Sequence, residues 1–263
     1  MRVALGQLDM VWEDKEASFL KAEHMMEQAK DAGCDVIVFP EMSFTGYSMN
    51  VKEIAEDREH SMTKERMKRD AVKYGIGIGY GYAAFGQSQG KGRNCFVMID
   101  ESGRELGEYS KLHPFTYGGE SDCFEKGQEI LTFAFHGRRI ALFICYDLRF
   151  PEIFHIAAKE ADIMFVIANW PAIRREHWQT LLRARAIETQ SYVVGVNCVG
   201  ERDHTVYSGD SMAVDCIGNI LGVLSGREDI LVCDLEDRAG HLREKFSTAA
   251  DRREEFYSDY FRR

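Results

Sequence analysis

No stretch of this chain approaches the roughly 18 to 20 consecutive apolar residues that a membrane span requires. Residues Met1 to Trp12 lack the long apolar centre and small-residue cleavage site of a signal peptide and read instead as a first strand. A cytoplasmic location with no membrane partner is the expectation. Positive charge is also short, with 33 Lys and Arg against 43 Asp and Glu and a formal net charge of −10. Basic clusters are few and brief, which excludes a nucleic-acid partner, because phosphate backbones are bound by concentrated positive charge that releases counterions. The seven cysteines (Cys34, Cys95, Cys123, Cys145, Cys198, Cys216, Cys233) are odd in number and no pair forms a CxxC. Neither a disulfide framework nor a zinc site is indicated, and the default role of each is a small buried hydrophobe.

Proline is scarce, four in 263 residues, and each stands beside a candidate chemical residue: Pro40 before Glu41, Pro114 after Lys111, Pro151 after Cys145, Pro171 after Asn169-Trp170. No Ser-, Gly- or Pro-rich linker and no fixed-period repeat divides the chain. One domain over residues 1–263 is expected, and at 45% hydrophobic residues it can bury a large core. Residues 247–263 read as a C-terminal arm. Asp251 to Arg263 mixes both signs with Phe256, Tyr257 and Tyr260, which suits a segment on the surface, against a second subunit, or in solvent.

What is present is alternation. Val3 to Met10 and Asp35 to Phe39 are expected strands, and Ala22, Met25, Met26 and Ala29 recur at helical spacing before Gly33, a helix stop. A polar helix follows Ser61. Strands are expected at Gly75 to Ala84, Arg93 to Asp100 and Glu105 to Ser110, the last two joined by a hairpin turn at Glu101 to Arg104. Ile130 to Phe135 and Arg138 to Ile144 pair across His136-Gly137. Helices are expected from Pro151 to Glu160 and from Glu176 to Gln190, with strands at Ile163 to Ala168, Tyr192 to Val199, Thr205 to Val214, Asn219 to Leu224 and Ile230 to Leu235. Helices interleaved with this many strands fit an α/β layered domain of two sheets covered by helices.

Three polar residues stand just past strand ends: Glu41 after DVIVFP, Lys111 after RELGEYS and Cys145 after ALFI. The crevice at the carboxyl ends of strands in open α/β sheets is where ligands bind, so one site can hold all three. After Cys145 the chain enters a helix within a few residues, and such a strand-to-helix turn exposes a side chain beside free backbone N–H groups. The logic is that of a nucleophile elbow, although GxSxG is absent. A cysteine nucleophile needs a proton acceptor, which Glu41 supplies. The attacked carbonyl oxygen needs positive charge or donors as it becomes negative, which Lys111 and the Tyr146 backbone N–H supply. His113 and His177 are the imidazoles available to a Cys-His hydrolase, but the carboxylate and lysine leave no need for one. Trp178, Leu181, Leu182, Arg185 and Ala186 share one helical stripe, a packing pattern, with Arg185 expected to meet Glu188 or another acid.

PEMSFTGY (40 to 47), YSKLHPF (109 to 115) and ICYDLRFPE (144 to 152) resemble, in order and spacing, the three signature segments of the nitrilase superfamily of carbon–nitrogen hydrolases. The resemblance covers nearly the whole chain. It implies that Glu41 is general base, Lys111 stabilises the tetrahedral intermediate and Cys145 is the nucleophile. It also implies a second glutamate after the lysine, where Glu120 falls, with Glu125 and Glu129 as rivals. The implied fold is a sandwich of two mixed β-sheets flanked by helices, αββα in each subunit, paired with a second subunit into a four-layer αββα–αββα arrangement. A homodimer or higher oligomer follows, and no metal or organic cofactor is required.

CYDLRFPE, followed by ANWP (168 to 171), HW (177 to 178), RARAIE (183 to 188) and Gln190, is similar to the branch that includes omega-amidases. That likeness implies hydrolysis of the terminal amide of 2-oxoglutaramate and related dicarboxylic monoamides, with a small amide as substrate and ammonia as product. An anionic substrate suits a site holding Lys111 with Arg149, Arg174 or Arg175, near Asn169 and Trp170. Surface charge or a subunit contact explains those arginines equally well. The enzymatic alternatives are an N-carbamoyl amidohydrolase and an amidase of deaminated glutathione. The alternative of another class is a non-catalytic binding or regulatory protein on the same scaffold.

Overall fold

Apolar runs of period two and stripes of period 3.6 sort into two mixed sheets in the computed structural model, which describes residues 1–262. The first five strands are β1 (Arg2–Gln7), β2 (Val36–Val38), β3 (Gly77–Phe85), β4 (Gly92–Ile99) and β5 (Glu105–Ser110). The next four are β6 (Thr132–Phe135), β7 (Arg138–Ile144), β8 (Ile163–Ala168) and β9 (Tyr192–Asn197). The last four are β10 (Val199–Arg202), β11 (Thr205–Val214), β12 (Ile220–Ser225) and β13 (Asp229–Asp234). The helices are α1 (Lys15–Asp31), α2 (Val51–Ile54), α3 (Met62–Tyr74), α4 (Glu120–Cys123), α5 (Pro151–Ala157), α6 (Arg175–Thr189), α7 (Ala239–Lys245) and α8 (Glu254–Phe261).

One sheet runs β13-β1-β2-β3-β4-β5 and the other β10-β11-β9-β8-β7-β6, with β12 added beside β11. Strands β1, β2 and β3 are mutually parallel, as are β7, β8 and β9, while the outer pairings are antiparallel. Alternation assigns the faces. Val3, Leu5, Val36, Val38, Phe96 and Met98 turn inward against β7, β8 and β9 in one core, while Ala4, Ile37, Val97 and Ile99 turn outward under α1 and α3. Helices α5 and α6 cover the second sheet through Phe154, Trp178, Leu182 and Ala186. The layers are therefore α, β, β, α, as expected.

Local chemistry sets the boundaries. Asp14 caps α1 by accepting the Ala17 N–H at 3.0 Å, and Ser61 caps α3 by accepting that of Lys64 at 3.0 Å. The β6–β7 hairpin turns on His136 and Gly137, at φ 47° and 73°, the left-handed pair a two-residue hairpin needs. On β3, GIGYGY places its glycines on the inner face. A Cβ at Gly77 would lie 2.8 Å from the Phe135 ring, so the sheets close up there because no side chain intervenes.

The expected strand from Tyr192 to Val199 is corrected. It breaks at Cys198 into β9 and β10, where the Asn197 backbone N–H donates to Ser211 Oγ at 3.0 Å in place of a ladder carbonyl and its side chain donates to Trp170 O at 3.0 Å and Gly209 O at 2.7 Å. The expected arm contains α8, tied to the chain after α5 by a 2.6 Å Lys159–Glu254 ion pair; its last residue, Arg263, lies outside the described residues. No described helix is long and apolar enough to cross a membrane.

Candidate active site

The carboxyl ends of β2, β5, β7 and β8 meet at one end of the sandwich, and each delivers a polar residue there. Glu41 follows β2 in a backbone segment with Met42 at φ 45°, pressed against β3 at Gly81. A Cβ at Gly81 would collide with the Met42 nitrogen and come within 2.9 Å of Glu41 Cα. Two hydrogen bonds hold the segment down: Ser43 N–H donates to Gly81 O, and Gly81 N–H donates to Ser43 Oγ, each at 2.9 Å. Lys111 follows β5 with its N–H donating to Asn94 O at 2.9 Å and its carbonyl accepting from Gly127 N–H at 2.7 Å. Cys145 opens a 3-10 turn over Cys145–Arg149 at φ 47°, a conformation unusual for a side chain other than glycine and typical of functional turns. The buried Asp147 carboxylate fixes that turn by accepting Ile144 N–H at 3.1 Å, Tyr109 Oη–H at 2.8 Å and His113 N–H at 3.0 Å.

The Glu41, Lys111 and Glu120 side chains are fully buried together. Lys111 Nζ donates to Glu41 Oε1 at 2.7 Å and to Glu120 at 3.0 and 2.8 Å. Glu120 also accepts Tyr47 Oη–H at 2.9 Å and Phe115 N–H at 2.5 Å. Burial pulls the Lys111 ammonium down, but Glu120 and Glu41 more than offset it and hold it well above the usual lysine range. Burial raises Glu120, yet the Lys111 charge and the bonds from Asn94 and Lys111 leave it below the usual carboxylate range. Burial and then the Glu41 charge push the Cys145 thiol well above its usual range, with Lys111 pulling the other way. Cys145 is thus a thiol beside Glu41 in a cluster of one ammonium and two carboxylates. Moving the thiol proton to Glu41 leaves that net charge unchanged, whereas losing it to solvent would add a third anion.

Cys145 lies in a cavity of about 350 Å³ walled by Trp12, Tyr47, Phe115, Tyr117, Trp170 and Tyr207, with Asp203 and Thr205 at the β10–β11 turn. Arg149, Asn169, Trp170 and Arg174 line it, as does Tyr146, whose N–H stands in the first turn, where no helical acceptor exists. Arg149 lies over the Trp170 ring at 4.8 Å, and Arg174 lies over Phe115 at 5.9 Å and Tyr117 at 6.0 Å. The placement of Arg175 is corrected: it is not among the lining residues, because Asp210 draws its guanidinium away into a 2.7 Å ion pair. Asn169 faces the cavity but spends its groups on Glu41. Its N–H donates to Glu41 Oε2 at 2.9 Å and its Nδ2 to Glu41 O at 2.6 Å.

Of the three candidate second glutamates, Glu120 joins the cluster. Glu125 instead pairs with Arg93 at 3.1 Å, and Glu129 is exposed. His113 is engaged by Asp147 at 2.9 Å and stacked on Phe150, and His177 contacts Arg149 at 3.3 Å. Arg185 meets Glu188 at 2.7 Å, as expected. Among the described residues, no group of three or more His, Cys, Asp and Glu side chains is placed to hold a metal.

Asn94, Tyr47 and Asp147 were not anticipated. Tyr47 and Asp147 lie inside two of the signature segments, where nothing local tells a holding residue from a packing one. Asn94 left one signal: it is the polar member of the inward-facing set Asn94, Phe96 and Met98 on β4. Its Nδ2 donates to Glu41 Oε1 at 2.7 Å and to Glu120 Oε1 at 2.9 Å. Its Oδ1 is buried with no partner among the described residues, a cost of about 1–3 kcal/mol.

The sequence model of the carbon–nitrogen hydrolase family matches residues 2–244. A 2-oxoglutaramate amidase of Bacillus subtilis is 33% identical over 256 residues, covering 95% of this chain and 97% of its own length. An omega-amidase of Yersinia enterocolitica is 36% identical, covering 84% of this chain and 83% of its own length. A solved CN-hydrolase superfamily protein of Xanthomonas campestris, carrying an arsenic adduct in its active site, has a TM-score of 0.88 at 27% identity over 96% of this chain and 97% of its own.

Proposed function

The chain belongs to the carbon–nitrogen hydrolase family, the nitrilase superfamily, and from that premise we propose that it hydrolyses the terminal amide of a small dicarboxylic monoamide of the 2-oxoglutaramate type. One observation carries the choice of substrate. Arg149 and Arg174 line the same cavity as Cys145, and among the described residues neither is ion-paired with a carboxylate. Against the single carboxylate of Asp203, they leave a positive wall on which a substrate carboxylate can sit while its amide end meets the thiol. The names of the two relatives point to the same acid amides.

In this reading Glu41 takes the thiol proton as Sγ attacks the amide carbon. The Lys111 ammonium and the Tyr146 N–H receive the developing oxyanion, at no cost in reorganisation because both are held in place beforehand. Glu41 returns the proton to the leaving nitrogen and ammonia departs, leaving a thioester on Cys145. Water then attacks the thioester with Glu41 again as base, and the acid and the free thiol are released. Glu120 and Tyr47 act on Lys111, aiming its ammonium. Ammonia release from 2-oxoglutaramate, succinamate, glutaramate and an N-carbamoyl amino acid, and dipeptide release from deaminated glutathione, with Cys145→Ala as control, test the proposal. Turnover confined to the last two substrates would overturn it.

We also read the chain as one catalytic domain in a cytoplasmic homodimer, with Ile156 and Ile187, about half exposed on α5 and α6, supporting a covered face. Light scattering that returned a monomer mass would reject the dimer.

A further inference from the structure

We propose that Asn94 is a positioning residue that selects Oε2 of Glu41, rather than Oε1, as the atom receiving the Cys145 proton. The proposal rests on the reading of Glu41 as the base. A carboxylate oxygen offers two in-plane lone pairs. Both on Glu41 Oε1 are occupied, one by Lys111 Nζ at 2.7 Å and one by Asn94 Nδ2 at 2.7 Å. Among the described residues Oε2 accepts the Asn169 N–H, at 2.9 Å, which leaves its second lone pair for the thiol. A proton reaching Oε1 would have to displace an ammonium or an amide donor, while a proton reaching Oε2 displaces nothing.

The carboxylate cannot rotate to exchange the two oxygens without giving up donors on both sides. Asn169 Nδ2 grips the Glu41 carbonyl at 2.6 Å, and the Asn169 amide is itself oriented by Cys198 Sγ–H, which donates to its Oδ1 at 3.1 Å. Asn94 closes the opposite side. Its two amide protons go to two different carboxylates, Glu41 and Glu120, so one side chain sets the relative placement of base and lysine holder.

The unpartnered Asn94 Oδ1 supports a role for the amide beyond packing, since an apolar side chain of the same size would avoid burying that oxygen but would supply no donor to either carboxylate. Serine would supply one proton in place of two, and aspartate would add a third acid. The step itself is a proton transfer. The S–H bond breaks with its electron pair left on sulfur, an O–H bond forms at Oε2, and nothing is oxidised or reduced.

The test is the rate of iodoacetamide labelling at Cys145, read by mass spectrometry from about pH 4 to about pH 9, in the full chain and in Glu41→Gln, Asn94→Leu and Asn94→Ser. Wild type is expected to lose reactivity on the acid side, and Glu41→Gln, which has no carboxylate at that position, is expected to lack that limb. Asn94→Leu removes a donor to the anion, so its limb moves to higher pH by about one unit, and Asn94→Ser moves it by less. The acid limb of kcat/KM for ammonia release should move with it, a readout that loss of packing alone would not shift. If Asn94→Leu gives no cooperative melt, Asn94→Ser decides by the same criterion. A limb absent in Glu41→Gln but unmoved in the Asn94 variants overturns the role of Asn94. A limb that persists in Glu41→Gln overturns the assignment of the base, and the proposal with it.

Discussion

Two ion clusters sit on opposite faces of the first sheet, and both involve residues of β5 or its end. On the inner face Lys111 lies between Glu41 and Glu120. On the outer face Lys64 pairs with Glu108 at 2.5 Å and Glu105 at 3.1 Å, while Arg58 also pairs with Glu108 and Tyr82 Oη–H donates to it at 2.9 Å. The outer cluster balances two cations against two carboxylates and reaches solvent through Arg58. The inner cluster sets one cation against two carboxylates with no exposure, beside a thiol in a cavity. Burial of charge therefore does not mark a reactive site by itself. An imbalance of charge next to a nucleophile does, because a proton can then move within the cluster at constant net charge.

The largest way to break the contrast is Cys145→Ala. Ammonia release should fall by at least about 10⁴-fold while the melting temperature stays near that of wild type, because the thiol bears the chemistry and little of the packing. Retained turnover would place the nucleophile elsewhere.

Paired substitutions sharpen it. Lys111→Met leaves two carboxylates buried without a cation and should cost about 3–5 kcal/mol by urea unfolding, with activity abolished. That penalty should shrink at acid pH, where the orphaned carboxylates take up protons. Lys64→Met leaves Glu108 with Arg58 and Tyr82, and should cost about 1–2 kcal/mol with ammonia release nearly unchanged. Equal effects of the two substitutions would erase the distinction between the clusters.

Arg149→Ala and Arg174→Ala should each raise KM for a carboxylate-bearing amide by about 10- to 100-fold and leave a neutral amide of similar length unaffected, as expected for a lost charge-assisted contact. Equal loss on both substrates would remove the arginines from substrate recognition.

The smallest effect is on stability against pH. The folded-state pKa of Glu120 is depressed, so its contribution is present above its ordinary value of 4.5 and is lost as pH falls through the lower folded value. That of Lys111 is raised, so its contribution is complete below its ordinary value of 10.5 and is lost only at still higher pH. Glu120→Gln should flatten the acid side of a stability profile below pH 4.5 and leave its slope near neutrality in place.

Much of the frame was legible because local rules operate there. Apolar runs located β3, β4, β7, β8 and β11, and Ser61 and Gly75 bracket α3 with an N-cap and a left-handed stop at φ 63°. Helix α7, ahead of the tail, was not legible, because it is held by distant partners: Arg243 reaches Ala161 O at 2.9 Å and the Ser191 hydroxyl at 2.5 Å. Arg175 misled for the same reason. It is a basic residue beside a site, and only the fold brings Asp210 to it.

By itself the sequence determined which residue types stand past which strand ends, and its resemblance to three signature segments singled out Cys145, Glu41 and Lys111 for the chemistry we propose, since each segment is contiguous. Tertiary structure alone decided which of three glutamates joins Lys111, that Asn94 donates to two carboxylates, and which arginines face the thiol. The Asn94 pairs with Glu120 and Glu41 span 26 and 53 residues and the Lys111–Glu41 pair spans 70, so this cluster exists only once the strands have assembled and excluded water.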